Sequence, residues 1–220
     1  MKHFEAVIFD MDGTLLDTER VAQEAFLAAC EQLAVAPRED LMLRCVGAAE
    51  PIARRVIQEG YGPGLDAEAF FQAWSRQFMA VSQASPVPLK EGAIALLDAM
   101  ARLGLPLAIA TSSDTAHALD KLRQAGVLER FRAVIGADQV QRPKPDPSVY
   151  LKAAASLGAD PRACLALEDS EYGVRAAHAA GMTVIQVPDL IQPTTELRAL
   201  GHIVLASLKD VVGYSFTGAC

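Results

Sequence analysis

Phe4-Glu5-Ala6-Val7-Ile8-Phe9-Asp10-Met11-Asp12-Gly13-Thr14-Leu15-Leu16-Asp17 is the stretch around which the chain is organised. It begins as an apolar run with β-branched and aromatic residues, the pattern of a buried parallel strand. The run ends on Asp10, and Asp12 follows two residues later, a spacing that keeps both carboxylates on one side of an extended backbone. Asp12-Gly13 then reads as a tight turn. Two acids converging where a buried strand ends are costly unless a cation sits between them. In open α/β sheets, ligands bind at the carboxyl ends of the strands. A strand closed by a simple Asp-Gly turn is the plainer alternative, because both residues are common turn formers.

The rest of the chain shows what surrounds that strand. Its 220 residues suffice for one large domain or two small ones. Half of the residues are hydrophobic (51%) and 21% are charged, a soluble globular profile. No apolar run approaches the roughly 18 residues of a membrane span, and no secretory signal pattern is expected. A formal charge of −7 argues against a nucleic-acid surface. It leaves room for a phosphorylated small molecule, whose charge one Lys and a divalent cation can offset inside a cleft. Cys30, Cys45, Cys164 and Cys220 have no C-x-x-C spacing, and buried or incidental thiols in a reducing cytosol are expected. His3, His117, His178 and His202 have no metal-ligand spacing and read as ordinary helix or strand residues.

After Asp17 the pattern turns helical. Residues 18–34 carry Phe26, Cys30 and Leu33 at three- and four-residue spacing, and Pro37 ends that helix. Pro51 suits the first turn of a second helix, which Gly60 would close. Asp66 can cap a third over 67–83, with Phe70, Trp74, Phe78 and Val81 along one face, read as core. Pro86 and Pro88 mark a linker. Beyond it, short strands alternate with capped helices: helix 92–103, strand 105–110, helix 115–125 capped by Asp114, strand 133–136, helix 147–157, strand 163–167, helix 171–180, strands 183–187 and 202–206. That alternation predicts an α/β fold, a doubly wound parallel sheet. The helical stretch is then an insertion after its first strand: residues 1–17 and 86–220 form the core, and 18–85 an all-helical cap.

Three further strand ends carry chemistry. Strand 105–110 runs into Thr111-Ser112-Ser113, where a hydroxyl and a free N–H can hold a phosphoryl oxygen or cap the next helix. In Arg142-Pro143-Lys144-Pro145-Asp146-Pro147, prolines on both sides of Lys144 restrict its backbone, so the Lys becomes a fixed point charge for a phosphate or carboxylate. A solvated Lys in a Pro-rich loop is the alternative. Strand 163–167 ends in Glu168-Asp169-Ser170, with Gly173 three residues on. Oxygen ligands at that density suit Mg²⁺. Acids stocking a helix N-terminus are the alternative. Gly47 reads either as a loop facing the cleft or as a helix stop.

These stretches, in this order, resemble the four motifs of the haloacid dehalogenase-like superfamily, in the subgroup of β-phosphoglucomutase, phosphoglycolate phosphatase and sugar-phosphate phosphatases. The helical insertion resembles that subgroup's cap. The resemblance implies an Mg²⁺-dependent phosphatase acting on a small phosphorylated metabolite through an aspartyl phosphate. Asp10 is then the nucleophile and Asp12 the acid and base, while Thr111, Ser112 and Lys144 bind phosphate. Asp10, the Asp12 carbonyl and Asp169 are implied as metal ligands, with Glu168 beside them. A cytoplasmic monomer or weak homodimer is expected, without nucleic-acid or membrane partners. A mutase shares this core, but where the β-phosphoglucomutase pattern has a His this chain has Ala22. Where that pattern has an Arg three residues after a cap Gly, Glu50 stands here, which makes Glu50 a candidate substrate-contact residue. The dehalogenase branch lacks the second Asp, and a phosphonatase needs a cap Lys, of which residues 18–84 hold none. A non-catalytic binding protein on the same fold would have lost Asp10, Asp12, Lys144 or Asp169, and all four are present.

Overall fold

A computed structural model describes residues 4–84 and 86–213. His3, Ser85 and Cys220 lie outside them. β1 (Ala6–Phe9) is wholly buried. Successive side chains of a strand point to opposite faces, and here Val7 and Phe9 enter one apolar cluster while Ala6 and Ile8 enter another. A strand covered on both sides belongs at the centre of a sheet. β2 (Leu107–Ala110), β3 (Ala133–Ile135), β4 (Cys164–Glu168), β5 (Thr183–Gln186) and β6 (Ile203–Val204) join it in the order β3-β2-β1-β4-β5-β6, all parallel. The order reverses between β1 and β4, which makes the crevice at their carboxyl ends the ligand site of such a sheet. Phe9 pairs with Ile109 and Leu167, so the next residues, Asp10, Ala110 and Glu168, come level.

Four helices separate β1 from the rest: α1 (Thr18–Gln32), α2 (Glu39–Arg44), α3 (Glu50–Tyr61) and α4 (Ala67–Ala84). They enclose an apolar cluster of their own around Phe26, Leu41, Ile57 and Phe70. Phe26 meets Phe70 and Trp74 edge-on at 5.4 and 5.2 Å between ring centres. The two chain segments leading in and out of this unit lie side by side: the Asp17 N–H donates to Pro88 O and the Lys90 N–H to Leu15 O, each at 2.9 Å. α5 (Ala93–Arg102), α6 (Thr115–Gln124) and, late in the chain, α10 (Leu208–Gly213) cover the Val7/Phe9 face of the sheet. α7 (Ser148–Leu157), α8 (Glu171–Ala179) and α9 (Thr195–Arg198) cover the other, where Ala108, Ala110 and Ala166 leave room for the buried ring of Tyr150. No helix among the described residues is long and apolar enough to cross a membrane.

Several local expectations differ from the structure. Gly60 does not close α3. It lies inside the helix, where a Cβ would meet Leu41 at 2.3 Å, and Gly62 (φ 75°) is the cap. Asp114 makes no capping bond to α6; the side chain that reaches this helix start is Asp138, whose Oδ1 accepts the Thr115 N–H at 2.7 Å. Asp66 caps α4 as expected, accepting from the Ala69 N–H at 3.0 Å. The aromatic stripe of α4 is only partly core: Phe70 is buried, Trp74 and Phe78 line a cleft, and Val81 is exposed. α2 and the two short helices α9 and α10 add to the expected elements, and β6 is shorter than 202–206.

Candidate active site

The turn after β1 starts the site. Gly13 has φ +79°, and its N–H donates to Thr18 Oγ1 at 3.0 Å. A Cβ on Gly13 would lie 2.5 Å from Asp169 Oδ2, so glycine is needed both for the turn and for the approach of β4's acid. At the end of β4, Glu168 is fully buried, and Gly173 makes room for it, since a Cβ there would fall 1.6 Å from Glu168 Oε1. Ser170 caps α8 by accepting the Gly173 N–H at 3.1 Å. It also donates to Glu168 Oε2 at 3.0 Å, where the Asp169 and Ser170 N–H groups converge as well.

Lys144 enters this pocket 2% exposed. Its Nζ lies 2.6 Å from both Asp10 Oδ1 and Glu168 Oε1, and Tyr150 donates its hydroxyl to the same Glu168 oxygen at 2.6 Å. Oxygens of Asp10, Glu168 and Asp169 all lie within 4.8 Å of one another. Burial pushes the Asp10 carboxyl well above its ordinary range; Lys144 opposes this and Glu168 reinforces it. Burial, then the charges of Glu168 and Asp10, likewise raises Asp169. Burial alone would lower Lys144, but the charges of Asp10 and Glu168 outweigh it and raise its pKa. Three buried carboxylates around one ammonium leave an excess of negative charge that no second cation among the described residues pairs with. The donor set is all oxygen and anionic, which fits a hard divalent cation such as Mg²⁺.

Asp12 stands apart from this group. The expected convergence of Asp10 and Asp12 on one cation is absent from their side chains, because each acid has its own lysine. Asp12 Oδ1 accepts from Lys121 Nζ at 2.8 Å, and Oδ2 from Ser113 Oγ at 2.8 Å and, more weakly, Thr111 Oγ1 at 3.4 Å. Burial raises the Asp12 pKa, but the Lys121 charge and these hydrogen bonds overcome it, so the carboxyl stays below its ordinary value. Lys121 was not foreseen. Its signal was the i, i+3, i+7 spacing of Asp114, His117 and Lys121, a polar face on α6 that lines the cleft. Tyr150 was also missed, because an aromatic on an amphipathic helix reads as core.

The profile of the family described as haloacid dehalogenase-like hydrolase matches residues 4–181. The chain belongs to the haloacid dehalogenase-like hydrolases. The protein CbbY of Rhodobacter capsulatus is 36% identical over 197 residues, covering 84% of this chain and 85% of that one. A phosphorylated carbohydrates phosphatase of Thermotoga maritima is 33% identical over 213 residues, 94% of this chain and 96% of that one. The crystal structure of a putative β-phosphoglucomutase from Thermotoga maritima superposes with a TM-score of 0.75 at 30% identity, covering 95% of this chain and 97% of that one.

The hydrolase fold thus brings Asp10, Glu168 and Asp169 from the ends of the adjoining strands β1 and β4 to Lys144 from the loop before α7, and sets Asp12 and Thr111 beside them. Ser112 turns instead toward the helical unit and donates to Gly47 O at 3.0 Å. Gly47 therefore faces the site, and a Cβ on it would meet Ser170 at 2.3 Å. Glu50 lines the cleft but is engaged by Arg54 at 2.5 Å. His117 is exposed and His202 bonds Gln186, away from any metal-like group. Cys30, Cys45 and Cys164 are free and buried.

Proposed function

We propose that this enzyme hydrolyses the phosphate monoester of a small metabolite, with Asp10 as nucleophile. The observation that supports it most is the Lys144 ammonium shared between Asp10 and Glu168 beneath a cleft of about 640 Å³. Lys144 holds Asp10 Oδ1 and so aims the carboxylate, leaving Oδ2 to attack phosphorus. As the Asp10–phosphorus bond forms and the ester bond breaks, Asp12 in its protonated form, the minor one while Lys121 is paired with it, gives its proton to the leaving alcohol. Asp12, now ionised, takes a proton from water, whose oxygen displaces phosphate from Asp10. Positioned acid–base catalysis of this kind is worth about 10²–10⁴-fold. Thr111 and Lys144 would bind the charge spread over the phosphoryl oxygens.

Asp10, Asp169 and the Asp12 carbonyl would hold Mg²⁺, which when bound offsets the negative charge of carboxylates and phosphate. Glu168 has both oxygens engaged, so its part is to brace Lys144 beside that ion. Residues 18–85 would serve as a cap that closes over the core, formed by 1–17 and 86–220, and excludes water. Ala22 and Glu50 favour hydrolysis over mutase chemistry: Ala22 cannot exchange a proton, and Glu50 would repel a second phosphate. Buried free thiols support a cytosolic setting.

Phosphate release from a panel of phosphorylated metabolites, with Mg²⁺ and with excess chelator, tests this. Turnover lost in chelator is expected; full turnover without metal would remove the metal role. β-Glucose 1-phosphate with a trace of glucose 1,6-bisphosphate should yield free phosphate faster than glucose 6-phosphate.

A further inference from the structure

A cleft of about 640 Å³ is large enough to enclose a whole small molecule, well beyond the phosphoryl group. The helical unit lines it with Met42, Phe71, Trp74, Phe78 and Met79. Trp74 donates its indole N–H to Ala22 O at 2.9 Å, so the polar edge of that ring is already satisfied. Met79 remains 37% exposed, and a thioether there adapts its shape to an apolar partner.

The charges in the lining do not suit a second anion. Six carboxylates line the cleft against three Lys or Arg residues. Arg76 is exposed and has no ion pair among the described residues, while the other two cations are engaged within the protein. Arg54 binds Glu50 and Glu68, each at 2.5 Å, and lies 4.9 Å over the Phe71 ring. Lys121 binds Asp12 and lies 4.9 Å over the Phe78 ring. A distal phosphate placed near Arg54 or Lys121 would have to break such pairs and would face the excess of carboxylates, leaving it Arg76 alone, whereas an apolar group gains by covering rings and thioethers.

Resting on the phosphatase reading, we propose that the substrates are phosphate monoesters whose alcohol carries a bulky apolar or flat group and no second phosphate. Phe78 and Met79 are then specificity-determining residues. The test compares 2-phenylethyl phosphate, glycerol 3-phosphate and fructose 1,6-bisphosphate with the full chain and Mg²⁺. All three are esters of primary alcohols, so the leaving groups are matched. A kcat/KM about tenfold or more higher for 2-phenylethyl phosphate is expected, in line with an added apolar contact. In Phe78→Ser, and independently in Met79→Ser, its ratio to glycerol 3-phosphate should fall toward one. Equal or higher kcat/KM for the bisphosphate, or a ratio unmoved in both folded variants, overturns the proposal while the phosphatase reading stands. No turnover of any ester, with no calorimetric binding of 2-phenylethyl phosphate to Asp10→Asn protein, overturns both.

Discussion

Lys121 Nζ lies 2.8 Å from Asp12 Oδ1, and the same ammonium sits over the Phe78 ring of the helical unit. The Lys121 charge lowers the Asp12 pKa against the effect of burial, which is the larger single influence. Lys121→Met should therefore raise that pKa and move the acidic limb of the kcat–pH profile upward, because in the proposed mechanism the water step needs ionised Asp12. Lys121→Arg should keep the limb near its place. The loss of kcat should stay below the about 10²–10⁴-fold expected of Asp12→Asn. An unmoved limb in Lys121→Met would separate the lysine from the acid–base step.

Stability of the metal-free protein should fall as pH rises. Asp10 and Asp169 have folded pKa values raised by burial and by the charge of Glu168, and Glu19 is raised to about 7 by burial and the charges of Asp12 and Asp189. Between the ordinary carboxylate range and these raised values the folded state binds more protons than the unfolded one, so each unit of pH costs stability there. Asp12, lowered, acts in the opposite sense, but below its ordinary value. Thermal melts in chelator at pH 6 and pH 8 should give the higher Tm at pH 6. Glu19→Gln should narrow that difference, and Mg²⁺ should raise Tm most at pH 8. A metal-free Tm that climbs with pH would contradict the charge excess.

Asp10→Asn should abolish turnover, since an amide cannot serve as nucleophile, and leave the fold intact. It removes one of three crowded carboxylates, so in chelator at pH 8 its Tm should equal or exceed that of the parent. Near-normal phosphate release by the purified variant would show the nucleophile to be another residue.

Gly173→Ala should damage both stability and activity. The added Cβ would occupy the place of the Glu168 carboxylate, which cannot leave without freeing Lys144, Tyr150 and the α8 cap. Overpacking of this kind costs about 1–3 kcal/mol. A chemical-denaturation midpoint unchanged from the parent would mean that Glu168 has another place to go.

Gly47→Ala should hinder closure of the helical unit. Gly47 has φ +69° and packs on Ser170, and its carbonyl accepts from Ser112 across the cleft. A rise in KM larger than the fall in kcat is expected, together with a larger radius in X-ray scattering with a phosphate analogue present. Identical scattering from both proteins would count against a moving cap.

The parallel sheet, the inserted helices, the strand ends that carry Asp10, Thr111 and Asp169 and the rigid loop before α7 that holds Lys144 were legible in the sequence alone, because each depends on short-range rules. Apolar runs make buried strands, prolines bracket Lys144, and Gly13 permits a turn. Side-chain partners were decided elsewhere. Whether Asp12 shares a cation with Asp10 or takes Lys121 from α6 depends on where a helix 109 residues along the chain comes to rest. Tyr150 is read as core until α7 lands on β1, β2 and β3 and brings its hydroxyl to Glu168 at the end of β4. Trp74 and Phe78 share a stripe with Phe70, yet only packing decides that Phe70 is sealed between helices while the other two line the cleft. Periodicity reports which residues share a face, but contacts between distant segments decide whether that face meets protein or substrate.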